Sequence, residues 1–321
     1  MNKIESRPCP ICYSNNSDTN FKNIFDDRFG CPIVTDSVKC TDCGHYFVSP
    51  NLDDSVLTSL YETYYGRESA GVEKIVFKLP SRFRRWFMGE NNLGQFNVIG
   101  TENNKLLDVG SGSCESLWQA SQLGFDSFGF DVDRTSGDIA EKLGLRVAVA
   151  STISDAYPDT LFSWIQLNQV IEHFIDPVEQ LSMLVKHLEK DGYVFLSTPN
   201  ANSISRRICG RNWINWHVPY HQHHFTLKSL QLLAITSGLE VIAYKTVTPI
   251  VWVLLQRRHT RSDVKLGIPN PIWSSSATGP RRRRGSDALD FLFLMCIFPL
   301  VKIVDLLKQG DCQIIILRKN Q

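Results

Sequence analysis

The sequence has almost no net charge. Its 321 residues carry 34 Lys and Arg against 33 Asp and Glu, a balance of +1. A protein that grips nucleic acid electrostatically needs a clear basic excess, so no nucleic-acid partner is expected. Long hydrophobic runs are missing too. No stretch of about 18 uncharged apolar residues occurs, which argues against a simple membrane span. The N-terminus lacks the apolar stretch of a secretion signal, so a cytoplasmic protein is expected. There is no internal repeat. What is present is a composition of 43% hydrophobic and 21% charged residues, enough for a sizeable core. The length suggests about two domains. Nine cysteines without an export signal point to reduced thiols, and some of their spacings point to metal.

The texture changes along the chain. Residues 1–65 are rich in Cys, Asn, Asp and aromatics, and they read as a small module. Residues 66–104 read as a linker and helical cap. Over 105–248, apolar strand candidates (105–111, 127–132, 146–151, 162–170, 192–198 and 239–247) alternate with helix candidates (115–123, 135–143, 176–190 and 226–237). That alternation predicts an α/β fold: a Rossmann-like, mostly parallel buried sheet with helices on both faces. Residues 249–311 read as an insert with a basic loop (257–287) and an apolar helix. A last core strand and tail follow at 312–321.

Two C-x-x-C pairs, Cys9/Cys12 and Cys40/Cys43, lie in the first module. Each pair can place two thiolates on one tetrahedral Zn²⁺, and Gly44 supplies the freedom a tight knuckle needs. Four sulfur ligands close the coordination shell, so this zinc would be structural, in a zinc-ribbon-like module with few large aliphatics of its own. Cys31 lies between the pairs and is not expected to be a ligand. The other reading is four free thiols in a small core.

Asp108-Val109-Gly110-Ser111-Gly112 ends one strand candidate and opens a helix, and Asp131 closes the next strand candidate. The two glycines let backbone approach a ligand closely, and Asp131 has the spacing of a ribose-binding carboxylate. A dinucleotide fingerprint needs a third glycine at position 115. Glu115 stands there and would repel a pyrophosphate. Asp108 suits a cationic ligand, which leaves S-adenosylmethionine, a sulfonium with a ribose and no phosphate, as the expected cofactor.

On these residues the sequence resembles the class I S-adenosylmethionine-dependent methyltransferases over about 105–247. Asn168-Gln169-Val170-Ile171-Glu172-His173-Phe174-Ile175-Asp176-Pro177 is similar to the V-x-E-H-x-x-D-P segment of the ubiquinone-biosynthesis O-methyltransferase branch. Residues 192–200 are similar to that branch's strand ending in Thr-Pro-Asn. The resemblance implies a cofactor site at Asp108, Gly110, Gly112, Asp131 and Asn168. Cys114 departs from the family, which has a small glycine there. The cysteine module, with Pro50 and Tyr61 to Tyr65 after it, resembles that of sugar C-methyltransferases. Related enzymes of surface-polysaccharide biosynthesis carry the same module.

Methyl transfer to oxygen benefits from a base. His173, expected at the end of the fourth strand, is one candidate; the alternative is a histidine that caps or packs the next helix. A second cluster holds Trp213, Trp216, His217, Tyr220, His221, His223 and His224. It reads as a substrate lid with His221 as its catalytic candidate, as a metal site, or as packing. The expected acceptor is a small molecule, either a nucleotide-linked or lipid-linked sugar or a quinone-like phenol. Arg82 to Phe87 interleaves arginines with aromatics, and Arg281 to Arg284 precede the apolar helix. The first patch reads as a contact for a nucleotide-sugar phosphate, nucleic acid or a membrane surface, or as a solvated amphipathic linker helix. For the second, weak attachment to the inner membrane face is one reading; a packed helical hairpin or a dimer contact is the other.

Overall fold

The fold comes from a computed structural model that describes residues 7–65, 77–90, 92, 104–273 and 284–320. At the N-terminus, β1 (Ser17–Phe25), β2 (Val34–Cys40) and β3 (Tyr46–Ser49) form an antiparallel meander, followed by α1 (Asp54–Thr63). A short helix, α2 (Arg82–Met88), lies in the expected linker. The rest of that linker, 66–76, 91 and 93–103, falls outside the described residues. The chain then alternates: β4 (Lys105–Val109), α3 (Glu115–Gln122), β5 (Asp126–Asp131), α4 (Arg134–Leu143), β6 (Arg146–Val149), α5 (Ile153–Ala156), β7 (Phe162–Asn168), α6 (Pro177–Lys186) and β8 (Leu188–Pro199). After β8 come α7 (Ile204–Cys209), β9 (His223–His224), α8 (Leu227–Thr236), β10 (Leu239–Val247), α9 (Ile250–His259), α10 (Arg284–Leu306) and β11 (Cys312–Lys319).

Seven strands make one sheet in the order β10-β11-β8-β7-β4-β5-β6. Strand β11 runs antiparallel to both its neighbours, and the pairs on the β7-β4-β5-β6 side are parallel. The central strands are apolar on both faces because helices cover both. Leu106, Leu107, Ile165, Leu167, Val194, Phe195, Ile314 and Ile315 are fully buried. Helix starts follow local chemistry. Asp133 and Asp176 accept backbone N–H bonds at the N-caps of α4 and α6, with Pro177 in the first turn of α6. Thr226 and Ser229 form a reciprocal capping box on α8.

The structure departs from the sequence reading in three places. The helix expected over 176–190 stops at Lys186, and β8 begins at Leu188 rather than 192. Leu188 pairs with Phe162, the ladder slips, and pairing resumes at Tyr193 opposite Trp164. The polar stretch Glu189–Gly192 therefore reads like a helix end but lies within the irregular part of a strand. The insert has more helix than expected, since α9 runs to His259 and α10 starts at Arg284; residues 274–283, with Arg281 to Arg283, lie outside the described residues. The third departure is β9. Its two residues pair with β3, Tyr46 with His224 and Phe47 with His223, and add a fourth strand to the N-terminal sheet.

Candidate active site

The carboxyl ends of β4, β5 and β7 converge on the glycine loop, the edge at which open α/β sheets bind ligands. Gly110 has φ +65°, and a Cβ there would sit 3.0 Å from Val170. Gly112 has φ +48°, a left-handed conformation that disfavours a side chain. Its N–H donates to Asp131 at 2.8 Å. The other oxygen of Asp131 accepts from the Asp133 N–H at 2.8 Å. Asp131 thus braces the loop, and its remaining lone pairs are available to a ribose diol. Cys114 adopts φ +60°, a glycine-like conformation. It does so with its thiol buried against α4, where Sγ donates to the Ser136 carbonyl at 3.4 Å.

Asp108 lies beneath the loop. One oxygen accepts from Gln166 at 2.8 Å, while the other has no hydrogen-bond partner. Burial raises Asp108 to about 7, with Gln166 holding it down in part and the Asp131 charge adding to the rise. A cation above the loop would favour its ionised form. Asn168 ends β7, donating to the Ser116 hydroxyl at 2.8 Å and accepting from the Ser197 hydroxyl. It ties the start of α3 to the end of β8.

Past β7 a short turn carries Glu172 and His173, and the segment after α7 folds back over it. This brings His173 and His221 together, with ring centroids 4.7 Å apart and nearly perpendicular planes. The Tyr61 hydroxyl, from α1, lies 2.7 Å from His173 Nδ1, and the Tyr220 carbonyl 3.2 Å from it. His221 Nδ1–H donates to the Asn215 carbonyl at 3.0 Å, which leaves Nε2 as the basic nitrogen. That nitrogen faces His217 Nδ1 at 3.4 Å. Burial, helped by neighbouring positive groups, pushes His217 and His221 well below the usual histidine value, so both are neutral at pH 7.

Glu172 is fully buried, and neither carboxylate oxygen has a hydrogen-bond partner. Burial raises it to about 8. Glu172, His173 and His221 each offer a ligand atom within 4.8 Å of one another. The other two histidines of the cluster point elsewhere. His223 pairs with His45 at 3.1 Å, and His224 donates to the Trp216 carbonyl at 2.8 Å.

The four knuckle cysteines also gather, with all four Sγ atoms within 4.8 Å. Cys9 and Cys43, and Cys12 and Cys40, approach to 3.5 Å. The edge of a tetrahedron with 2.3 Å arms is about 3.8 Å, so the spacing suits Zn²⁺. Gly44 takes φ +74° and donates its N–H to the Cys40 carbonyl, closing the second knuckle. The hydrogen bond from Cys43 pulls the Cys9 thiol down to about 5, as expected where thiols share a negative charge. Cys31 lies apart, packed with Leu60 and Tyr220.

Several residues here escaped the sequence reading. Gln166 carries no motif signal of its own, and Tyr61, noted only as part of the stretch after the cysteine module, gave no sign of its contact with His173. Asp311, at the start of β11, accepts from Trp213 Nε1 and from the Ser203 hydroxyl, both at 2.8 Å, and so pins the segment after α7 to the carboxyl edge of the sheet. An isolated acid between a helix and an apolar strand was the only available hint.

The sequence pattern of a family described as "Methyltransferase domain" matches residues 81–244, just over half of the chain. The chain belongs to this family. It is an S-adenosylmethionine-dependent methyltransferase. Similar solved structures include a SAM-dependent methyltransferase from Archaeoglobus fulgidus, with 18% identity, 71% of this chain and 91% of that chain covered, and a TM-score of 0.43. Another is a putative sarcosine dimethylglycine methyltransferase from Galdieria sulphuraria, with 12% identity, 68% and 80% covered, and a TM-score of 0.45. A third is the complex of the Haloferax volcanii Trm112 methyltransferase activator with a putative methyltransferase, with 12% identity, 84% and 95% covered, and a TM-score of 0.47. No curated protein matches the chain.

Proposed function

We propose that this methyltransferase acts on a sugar or glycan precursor in surface-polysaccharide assembly, presented as a nucleotide-linked or lipid-linked sugar. The observation that carries this reading is the contact between His173 and His221 under the lid, beside the buried Glu172. The cofactor supplies an activated methyl group and departs as a neutral thioether. Asp108, Gly110, Gly112, Asp131 and Asn168 hold it, and the orphaned oxygen of buried Asp108 fits a cationic ligand. His221, neutral and buried, or His173 beside it, takes the proton from the acceptor as the new bond to the methyl carbon forms. A four-cysteine module beside the site, like that of sugar C-methyltransferases, supports a sugar over a phenol. Its structural zinc sits on Cys9, Cys12, Cys40 and Cys43.

The test is a mass-spectrometric screen for a 14 Da gain across nucleotide-linked sugars, lipid-linked sugars and quinone-like phenols. Methylation confined to phenols would overturn the sugar assignment. With the true acceptor, His173→Ala and His221→Ala should keep cofactor affinity, and loss of the base should cost about 10²-fold in turnover.

A second reading is favoured by one observation, the unpartnered buried carboxylate of Glu172. In it, Glu172, His173 and His221 hold a divalent cation that orients the acceptor. Turnover lost on chelation and restored by Mg²⁺ or Mn²⁺, with the knuckle zinc unchanged, would favour it.

A further inference from the structure

Helix α10 is turned inside out for a helix packed against water. Its described charged residues, Asp290, Lys302 and Asp305, point inward. Asp290 pairs with Arg257 and Arg258 of α9. Lys302 donates to the Trp86 carbonyl at 2.7 Å, and Asp305 accepts from the Thr248 hydroxyl at 2.7 Å. Its outward positions are apolar: Leu289, Leu292, Met295, Leu300, Ile303 and Leu306 are each more than half exposed. From Leu289 to Leu306 no charged residue is exposed. At 3.6 residues per turn this face runs about 26 Å and sweeps about half of the helix circumference from Phe291 to Leu300. A coiled-coil seam is a narrow stripe, whereas a face this broad fits a continuous apolar medium.

Helix α2 extends the same surface. Phe87 packs on Phe298 of α10 with centroids 4.7 Å apart, and Trp86 meets Phe298 edge-on at 5.4 Å. Beyond that contact, Phe83 is 70% and Trp86 50% exposed, with Arg82 and Arg84 exposed between and beside them. In the sequence, Arg281 to Arg284 lead directly into α10. Among the described residues no helix is long and apolar enough to cross a membrane. A broad apolar face, an aromatic pair and adjoining arginines together match the chemistry of an anionic bilayer surface.

We infer that α2 and α10 form a platform on which the protein lies in the headgroup layer of an anionic membrane. The platform joins the body of the fold at the catalytic edge of the sheet. Asp305 bonds to Thr246 and Thr248 at the end of β10, and Asn92, after α2, donates to Gln119 of α3 at 2.6 Å. Docking there would keep the cofactor edge close to the lipid surface. In the sugar reading this favours a lipid-linked acceptor, but the docking does not depend on that reading.

The experiment is flotation of the full chain with phosphatidylcholine vesicles, with and without phosphatidylglycerol. Binding is expected, and stronger with phosphatidylglycerol. Leu292→Asp with Ile303→Asp should reduce partitioning about tenfold or more, and Arg82→Glu with Arg84→Glu should remove the preference for phosphatidylglycerol. These side chains face outward, so the variants should keep the native melting temperature, which is measured in parallel. Light scattering without vesicles tests the rival occupant, a second copy of the chain. A dimer that the α10 variants split, with no flotation of the native protein, would overturn the inference. So would flotation that neither pair of substitutions changes.

Discussion

Gly129 lies in β5, directly under the glycine loop. A Cβ placed there would sit 2.2 Å from Ser111 Oγ, 3.1 Å from Leu117 and 3.2 Å from Val147. Its φ is not in the left-handed region, so the constraint is space alone. Gly129→Ala must first push the Ser111 hydroxyl aside, which breaks its 3.2 Å bond to the Asp108 carbonyl. That loss costs about 0.5–1.5 kcal/mol. Leu117 and Val147 must then yield by a few tenths of an ångström in a packed core. Overpacking of this kind brings the total to about 1–3 kcal/mol. Because Ser111 is part of the loop, the strain should appear in cofactor affinity as well as in stability. The assays are thermal denaturation and calorimetric titration with S-adenosylmethionine. Ser111→Ala deletes the atom at 2.2 Å, so the double variant should recover most of both losses. A Gly129→Ala variant as stable and tight-binding as the native chain, or one that Ser111→Ala fails to rescue, would refute the reasoning.

Three further outcomes are expected. Elemental analysis should find one zinc per chain, and Cys40→Ser should lose it and lower the melting temperature. Absent stoichiometric metal with nine freely titratable thiols would contradict this. Asp131→Ala should weaken S-adenosylmethionine binding by about 1.5–3 kcal/mol, since a charged acceptor is removed; unchanged calorimetric affinity would count against the assignment. Glu172 is raised from 4.5 in the unfolded chain to about 8 in the fold. A raised carboxyl stabilises the fold fully below about 4.5 and loses that contribution as pH climbs toward 8. Glu172→Gln removes the titration, so its stability relative to the native chain should rise by about 1 kcal/mol per pH unit across that window, measured in metal-free protein by denaturant melts. A difference that stays constant with pH would contradict it.

The sheet was legible because its strands are apolar on both faces and its helices carry explicit start signals. Asp176-Pro177 and Thr226-x-x-Ser229 mark α6 and α8 within a residue or two. The loop glycines were legible for the same reason, since their chemistry is local. What sequence could not supply was proximity. His173 and His221 stand in separate motifs, and Glu172 lies far from the histidine cluster in the chain while lying beside His221 in space. Tyr61 reaches His173 from the N-terminal module, a contact between segments without a common pattern. The strand β9 was invisible because two histidines at the end of a loop carry no period.

That small strand bears on how the molecule can be assembled. The N-terminal meander is synthesised early, yet its open edge, β3, is closed only by residues made more than half a chain later. Until they arrive, Tyr46 and Phe47 sit on an uncovered strand edge, the kind of surface that recruits stray strands. A ribosome pausing between these segments would prolong the hazard, and a fragment cut at residue 65 would carry it permanently. The two histidines of β9 therefore close an edge of the N-terminal sheet. A library of truncations would find its soluble members among those that keep both halves of the pairing.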